Sequence, residues 1–183
     1  DDKSTAVHLA CAQGNLEMVQ LMYEIQPDAF CECLGLQDVV GMAPLHRAAL
    51  FDRVECVRFL VEQNADIEMA DSEGRTPLLV AANRKSWATV SLLLEMDAST
   101  LVLDNRNRNI LHLIIRNGAP NLKFSWFQTD FKTLMNHQDE YGCTPLHYAS
   151  REGQLYTIEQ LIKLGAVLNT KNNKRESPLH FAA

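Results

Sequence analysis

Long apolar runs are missing from this chain of 183 residues. No stretch approaches the roughly 20 apolar residues that a membrane-spanning helix needs. None pairs the basic start and apolar centre of a secretion leader. A strongly basic face is lacking as well: the formal net charge is −6, which argues against nucleic acid as the main partner and against a polybasic membrane-surface segment. The five cysteines, Cys11, Cys31, Cys33, Cys56 and Cys143, form an odd set without framework spacing, and no Asn-x-Ser/Thr acceptor site occurs. These features point to a reducing, cytosolic setting. There is no phosphate-cradling glycine loop, kinase signature or zinc-protease motif, so neither an enzyme nor a cofactor is expected. What is present suffices for a folded core: 46% of residues are hydrophobic and 22% charged.

The histidines keep time along the chain. "STAVHLA" carries His8, "MAPLHRA" His46, "RTPLLVA" Leu79 in the same slot, "NILHLII" His112, "CTPLHYA" His147 and "SPLHFAA" His180. The steps between slots are 38, 33, 33, 35 and 33 residues, and only His137 falls off the pattern. A period near 33 residues around a T-P-L-H-x-A core is the signature of ankyrin repeats. The expected fold is therefore all-α, an ankyrin-repeat solenoid of stacked helix-turn-helix units in which each repeat contacts its neighbours. The repeats run at about 1–38, 39–70, 71–103, 104–138 and 139–171, with the start of a sixth at 172–183. The break at that point reads as a piece cut from a longer protein.

Each part of the motif has a physical task. Thr76, Thr144 and Ser177 are placed to cap a helix by accepting a backbone N–H. Pro44, Pro77, Pro145 and Pro178 follow at the first helical position, where no N–H is needed. Ala10, Ala48, Ala81, Ala149 and Ala182 let neighbouring helices approach closely. Outer helices follow in "NLEMVQLMYE", "VECVRFLVEQ", "WATVSLLLEM" and "LYTIEQLIKL", which carry apolar residues at helical spacing. Gly165, Asn64 and Asp97 suit the left-handed position after them, in falling order. "DSEG", "DNRN" and "DEYG" read as turns led by aspartate. Two repeats are irregular. The first carries about five extra residues in or near "PDAFCECLGLQDVVG", read as a longer loop. In the fourth, Trp126, Phe127, Phe131, Leu134 and Met135 supply an apolar face after a detour at Gly118-Ala119-Pro120.

Histidines that repeat in step with a structural period lack the nearby partner that a general base needs. They are expected to hydrogen-bond across turns and tie one repeat to the next. The slot filled by Leu79 agrees with a scaffold that can lose one such tie. His8, Cys11, Cys31 and Cys33 have the ligand types of a zinc site, but His8 belongs to the repeat motif and C-x-C is not the usual spacing. Among the cysteines, Cys143 ranks first as a reactive thiol, because a helix start follows it, although Asp139 and Glu140 oppose a thiolate. "DNRNRN" puts arginines where a calcium loop needs oxygen ligands. Lys171, Lys174 and Arg175 read as a solvated turn, with a phosphorylated ligand as the lesser alternative.

The departures from the repeat pattern carry a resemblance. "RAALFDRVECVRFLVEQNADIEMADSEGRTPLLVAANRKSWATVSLLLEMDA", "RNILHLIIRNG" followed by a broken repeat, and "DEYGCTPLHYASREG" resemble the ankyrin region of the ankyrin-type transient receptor potential (TRPA) channels. "KNNKRESPLHFAA" is similar to the insect members. The resemblance runs from Thr5 to Ala183. It implies a cytoplasmic segment of a plasma-membrane, homotetrameric, calcium-permeable cation channel that responds to irritant electrophiles and, in many animals, to temperature. The implied partners are neighbouring repeats, channel subunits and cytosolic proteins; the family's pore and best-known reactive cysteines lie outside this chain. An ankyrin adaptor that binds a protein partner is the alternative, and an ankyrin-tethered enzyme the third. Repeats coupled only to their neighbours differ in local stability, which makes the irregular fourth repeat the weak point, so that in such a channel deleting "APNLKFSW" is expected to shift the activation threshold.

Overall fold

The computed structural model describes residues 2–118, 127 and 131–182. It falls into two compact units, residues 1–99 and 100–183, and among the described residues its regular elements are all helical. The first unit holds α1 (Ala6–Gln13), α2 (Leu16–Ile25), α3 (Pro27–Leu34), α4 (Pro44–Leu50), α5 (Val54–Glu62), α6 (Pro77–Arg84) and α7 (Trp87–Glu95). The second holds α8 (Ile110–Asn117), α9 (Phe131–Asn136), α10 (Pro145–Arg151), α11 (Leu155–Lys163) and α12 (Pro178–Phe181). Helices this short are marginal alone, so packing must hold them. In the first unit α1, α4 and α6 stack as an inner row, each against its outer partner α2, α5 or α7. In the second, α8, α10 and α12 stack in the same way, with α9 and α11 outside.

The motif alanines Ala10, Ala48, Ala81 and Ala149 are buried in the inner row, whereas Ala182, after the last helix, is exposed. Ala48, Ala49, Ala81, Ala82 and Ala149 have no exposed surface, and any larger side chain there would push adjacent inner helices apart. Val57, Leu60, Val90, Leu93 and Leu161 fill the space between inner and outer rows, each fully buried. The four motif prolines sit at the starts of α4, α6, α10 and α12. After the outer helices, Asn64, Asp97 and Gly165 have φ of 64°, 61° and 102°, the left-handed conformation that the sequence suggested for them.

The expected long loop in the first repeat is in part a helix. α3 starts on Pro27, and its Phe30 and Leu34, one turn apart, are buried. Phe30 meets Tyr23 of α2 at 5.7 Å and Phe59 of α5 at 6.2 Å between ring centroids, both edge-on, and Tyr23 meets Phe59 at 5.9 Å. This aromatic triad, an arrangement that adds to simple area burial, pins the insertion to the outer row. In the fourth repeat Phe127, Phe131, Leu134 and Met135 are buried as expected of an apolar face. Trp126 and the detour at Ala119-Pro120, with the rest of "APNLKFSW", lie outside the described residues.

Candidate functional site

The turns ahead of the inner helices are organised by one side chain each. Asp38, Asp71, Asp104, Asp139 and Asn172 stand eight residues before the slots of His46, Leu79, His112, His147 and His180. Each Oδ1 accepts two backbone N–H groups of its own turn: Val40 and Met42, Glu73 and Arg75, Arg106 and Arg108, Tyr141 and Cys143, Lys174 and Glu176. An Asx side chain bonded two residues ahead is a turn-former in its own right. The second carboxylate oxygen is also occupied. Asp38 takes Arg47, Asp71 takes Arg75, Asp104 takes Arg108 and Asp139 takes the Tyr148 hydroxyl. Burial alone would raise the Asp38 carboxyl, but the Met42 and Val40 N–H groups and Arg47 outweigh it and hold the group below its ordinary value. The sequence reading found three of these turns and missed Asp38 and Asn172, although the eight-residue offset was visible.

The histidines connect successive turns. The N–H of Thr5, Ala43, Asn109, Thr144 and Ser177 donates to Nδ1 of His8, His46, His112, His147 and His180 respectively. An Nδ1 that accepts leaves the proton on Nε2. Nε2 of His8, His46, His112 and His147 faces the carbonyls of Met42, Arg75, Cys143 and Glu176, at 3.0, 3.0, 3.1 and 3.2 Å. Each of those carbonyls also receives the N–H of its turn's own Asp or Asn. The ring is therefore a bridge between a helix start and the next repeat's turn. Burial is the first cause that lowers the imidazole pKa at His8, His46, His112 and His147, and His112 falls to about 4; neutral rings are what the bridge requires.

Where a histidine fills the slot, the hydroxyl of the cap meets the ring as well as the helix start. Thr144 and Ser177 turn their hydroxyls onto Nδ1 of His147 and His180, at 2.9 and 2.7 Å, within a capping box that also faces each hydroxyl to the backbone N–H of its histidine. Thr5 shows both contacts, with its hydroxyl 2.8 Å from Nδ1 of His8 while it accepts the His8 N–H at 3.4 Å. Thr76 has only Leu79 in the slot, and there the hydroxyl accepts the Leu79 N–H at 3.4 Å.

His112 is the exception in this set. Its cap is Asn109, whose amide is oriented by donating Nδ2 to the Leu134 carbonyl while Oδ1 accepts the His112 N–H. Oδ1 then lies 2.7 Å from Nδ1, and an amide oxygen has no proton to give. Both ring nitrogens of His112 thus face oxygen acceptors. The neighbouring His137 ring lies edge-on at 6.3 Å, with its buried Nε2 unpartnered among the described residues.

Cys143 is 8% exposed, and burial pushes its thiol up, with Asn172 opposing in part. Cys11 and Cys56 are buried and raised for the same reason. Cys31 is exposed and Cys33 half-buried. His8, Cys11, Cys31 and Cys33 do not converge: among the described residues no three His, Cys, Asp or Glu side chains gather as metal ligands do. The His8 Nε2 is already used on Met42. Lys171, Lys174 and Arg175 stay exposed on the last turn.

The second unit also contains an open cavity of about 420 Å³ between its turns and inner helices. Arg106, Arg108, Arg116, Arg151 and Lys174 line it, and among the described residues Glu176 is the one carboxylate in the wall.

Turns tied to inner helices through a histidine at this period define a class, and comparison agrees. The family model for ankyrin repeats in three copies matches residues 1–71 and 126–183, and the single-repeat model matches 73–107. The chain belongs to the ankyrin-repeat family. Within it, the chain is 49% identical over 91% of its length to the transient receptor potential cation channel subfamily A member 1 of Drosophila melanogaster. It is 39% identical over 99% of its length to the human protein of that name. It spans 14% and 19% of those two relatives. A chain of the solved complex of the Bd0816 predatory endopeptidase from Bdellovibrio bacteriovorus with immunity protein Bd3460 has the same fold, with a TM-score of 0.84. That likeness covers 98% of this chain and 91% of the other, at 26% identity.

Proposed function

We propose that this chain is the cytoplasmic ankyrin-repeat scaffold of an invertebrate TRPA-type channel, a homotetrameric, calcium-permeable cation channel opened by irritant electrophiles, by temperature or by both. The observation that carries the reading is the 49% identity to the Drosophila channel over 91% of this chain. The fold alone is matched at 26% identity by a chain from a different kind of complex, so fold does not separate channel from adaptor. Among the described residues no helix is long and apolar enough to cross a membrane, which suits a segment outside the bilayer.

The scaffold acts through packing and not through chemistry. His8, His46, His112, His147 and His180, with Leu79 in the third slot, are its repeat anchors, and Pro44, Pro77, Pro145 and Pro178 start its helices. Repeats coupled to their neighbours respond to a stimulus as a set of local equilibria. Such an array biases a distant pore only by the free-energy difference its packing makes between closed and open states.

The direct test is the parent reading frame downstream of Ala183. Six apolar segments of about 20 residues, with a pore-like loop before the last, are expected. A stop after one further capped repeat would replace the channel with an adaptor. A chimera that carries these 183 residues in place of the matching region of the Drosophila channel should reach the surface and conduct.

A further inference from the structure

The cavity in the second unit runs against the charge of the whole chain. On a protein of net charge −6, five of 17 cationic residues line one open space. Three of the five are already engaged. Arg108 is clamped by Asp104 through Nε at 2.8 Å and Nη2 at 2.6 Å, Arg151 pairs with Glu152 at 3.0 Å, and Arg106 approaches Glu140 at 3.7 Å. Arg116 and Lys174 are exposed and have no ion-pair partner among the described residues. Glu176 shares the wall, with one oxygen taken by Asn172.

The wall is built from three successive turns, at 106–108, 141–143 and 172–176, and from the helix faces of Arg116, Tyr148 and Arg151. It therefore extends along the repeat direction and does not converge on a point. Aromatic surface is interleaved with the charge. Arg151 lies over the Tyr148 ring at 5.0 Å, Tyr141 is 57% exposed at the rim, and Phe181 stands edge-on to His147 at 5.4 Å.

We propose that this groove binds an extended acidic peptide segment of a partner protein, in which two carboxylates flank an apolar or aromatic residue. The carboxylates meet Arg116 and Lys174, and the central side chain lies on Tyr141 and Phe181. A nucleoside triphosphate is the less suitable occupant. Most of the local positive charge is neutralised in place, and Glu176 would repel a dense cluster of phosphate oxygens. Single, spaced carboxylates match two cations that have no ion-pair partner among the described residues, and charge matching of this kind sets specificity and capture rate. The inference concerns the groove of this chain and holds whether its parent is a channel or an adaptor.

The test is binding of the 183-residue chain to an array of peptides of about ten residues, enough to run about 33 Å when extended. Each carries two Asp or Glu around one Phe or Leu at varied spacing, and each is paired with its Asn/Gln counterpart. ATP is the competing probe. At least one acidic peptide should bind about tenfold tighter than its amide twin, and the preference should fade with added salt. The Arg116→Glu, Lys174→Glu double variant should remove it, while circular dichroism stays unchanged because both side chains are exposed. No preference for acid over amide at any spacing, or a preference that survives the double variant, overturns the proposal. ATP bound more tightly than every peptide also overturns it and makes the groove a nucleotide site.

Discussion

The carboxylate of Asp52 accepts the backbone N–H of Thr89 at 2.8 Å, reaching from the end of one inner helix to the first turn of the next repeat's outer helix. Ser86, the residue ahead of α7, makes no side-chain cap of its own and turns its hydroxyl to the Leu50 carbonyl at 3.3 Å. The helix is capped from the neighbouring repeat. Arg53 and Gln154, in the position equivalent to Ser86, likewise reach back to the Ala12 and Ile115 carbonyls.

Asp52 also holds a left-handed backbone, with φ of 56°. Asp52→Ala should therefore lose a cap and gain strain, costing about 1–2 kcal/mol in urea denaturation. Asp52→Gly loses the cap but relieves the backbone, and should cost less. Asp52→Asn should stay near the parent. A glycine variant weaker than the alanine one would show that the left-handed backbone at this position carries little strain, and parent-like stability in both would show that the cross-repeat cap contributes little.

Gly142 and Gly153 separate two glycine effects. Both have positive φ, 74° and 63°. A Cβ on Gly142 would lie 2.9 Å from the Asn173 nitrogen in the next turn, whereas Gly153 has nothing within 4 Å. Gly153→Ala should cost about 1 kcal/mol from backbone strain alone, and Gly142→Ala at least about 2 kcal/mol, because the adjoining turn must move. Equal midpoints for the two would remove the close approach from the account.

For the histidine bridges, His46→Leu should be milder than His46→Ala. The leucine retains packing and forfeits about 1 kcal/mol for the bond to Arg75, while the alanine also opens a cavity and should cost about 3 kcal/mol. Thermal unfolding of the pair decides it, with Leu79 as the natural precedent.

Acid should destabilise the second unit through His112. Its folded pKa of about 4 lies below the ordinary imidazole value of 6.5. Above 6.5 the ring is neutral in both states and stability is complete. As pH falls from 6.5 towards 4, the unfolded chain takes up the proton first and stability drops, by up to about 3 kcal/mol from this residue. Burial dominates, the Cys143 carbonyl, Asp139 and Asp104 pull the other way, and His137 reinforces the depression. In an NMR titration His112 should protonate near pH 4. Titration near 6.5 would mean that the two oxygens facing the ring outweigh its burial.

Thiol accessibility gives the last prediction. Under native alkylation mapped by mass spectrometry, Cys31 should label first and Cys33 next, with Cys11, Cys56 and Cys143 protected until the chain unfolds. Rapid labelling of Cys143 would require the turn at 139–143 to open in the native state.

The repeat period, the helix starts at the motif prolines and the assignment of histidines to one recurring slot were legible in the chain itself. Those features are local and recur, so each copy reinforces the reading of the others. The Asp and Asn anchors were equally local, and the offset of eight residues would have revealed Asp38 and Asn172. Packing alone decided the rest. α3 forms because Phe30 finds Tyr23 and Phe59, residues that no periodicity links to it. Thr144 and Ser177 bring their hydroxyls to a ring, whereas Thr76, beside a leucine, has no ring to meet and accepts a helix N–H. The "LFD" and "SW" departures become partners only when Asp52 lies beside α7. The cationic groove gathers residues between positions 106 and 181, and charge separated by that much chain has no common address until successive repeats stack.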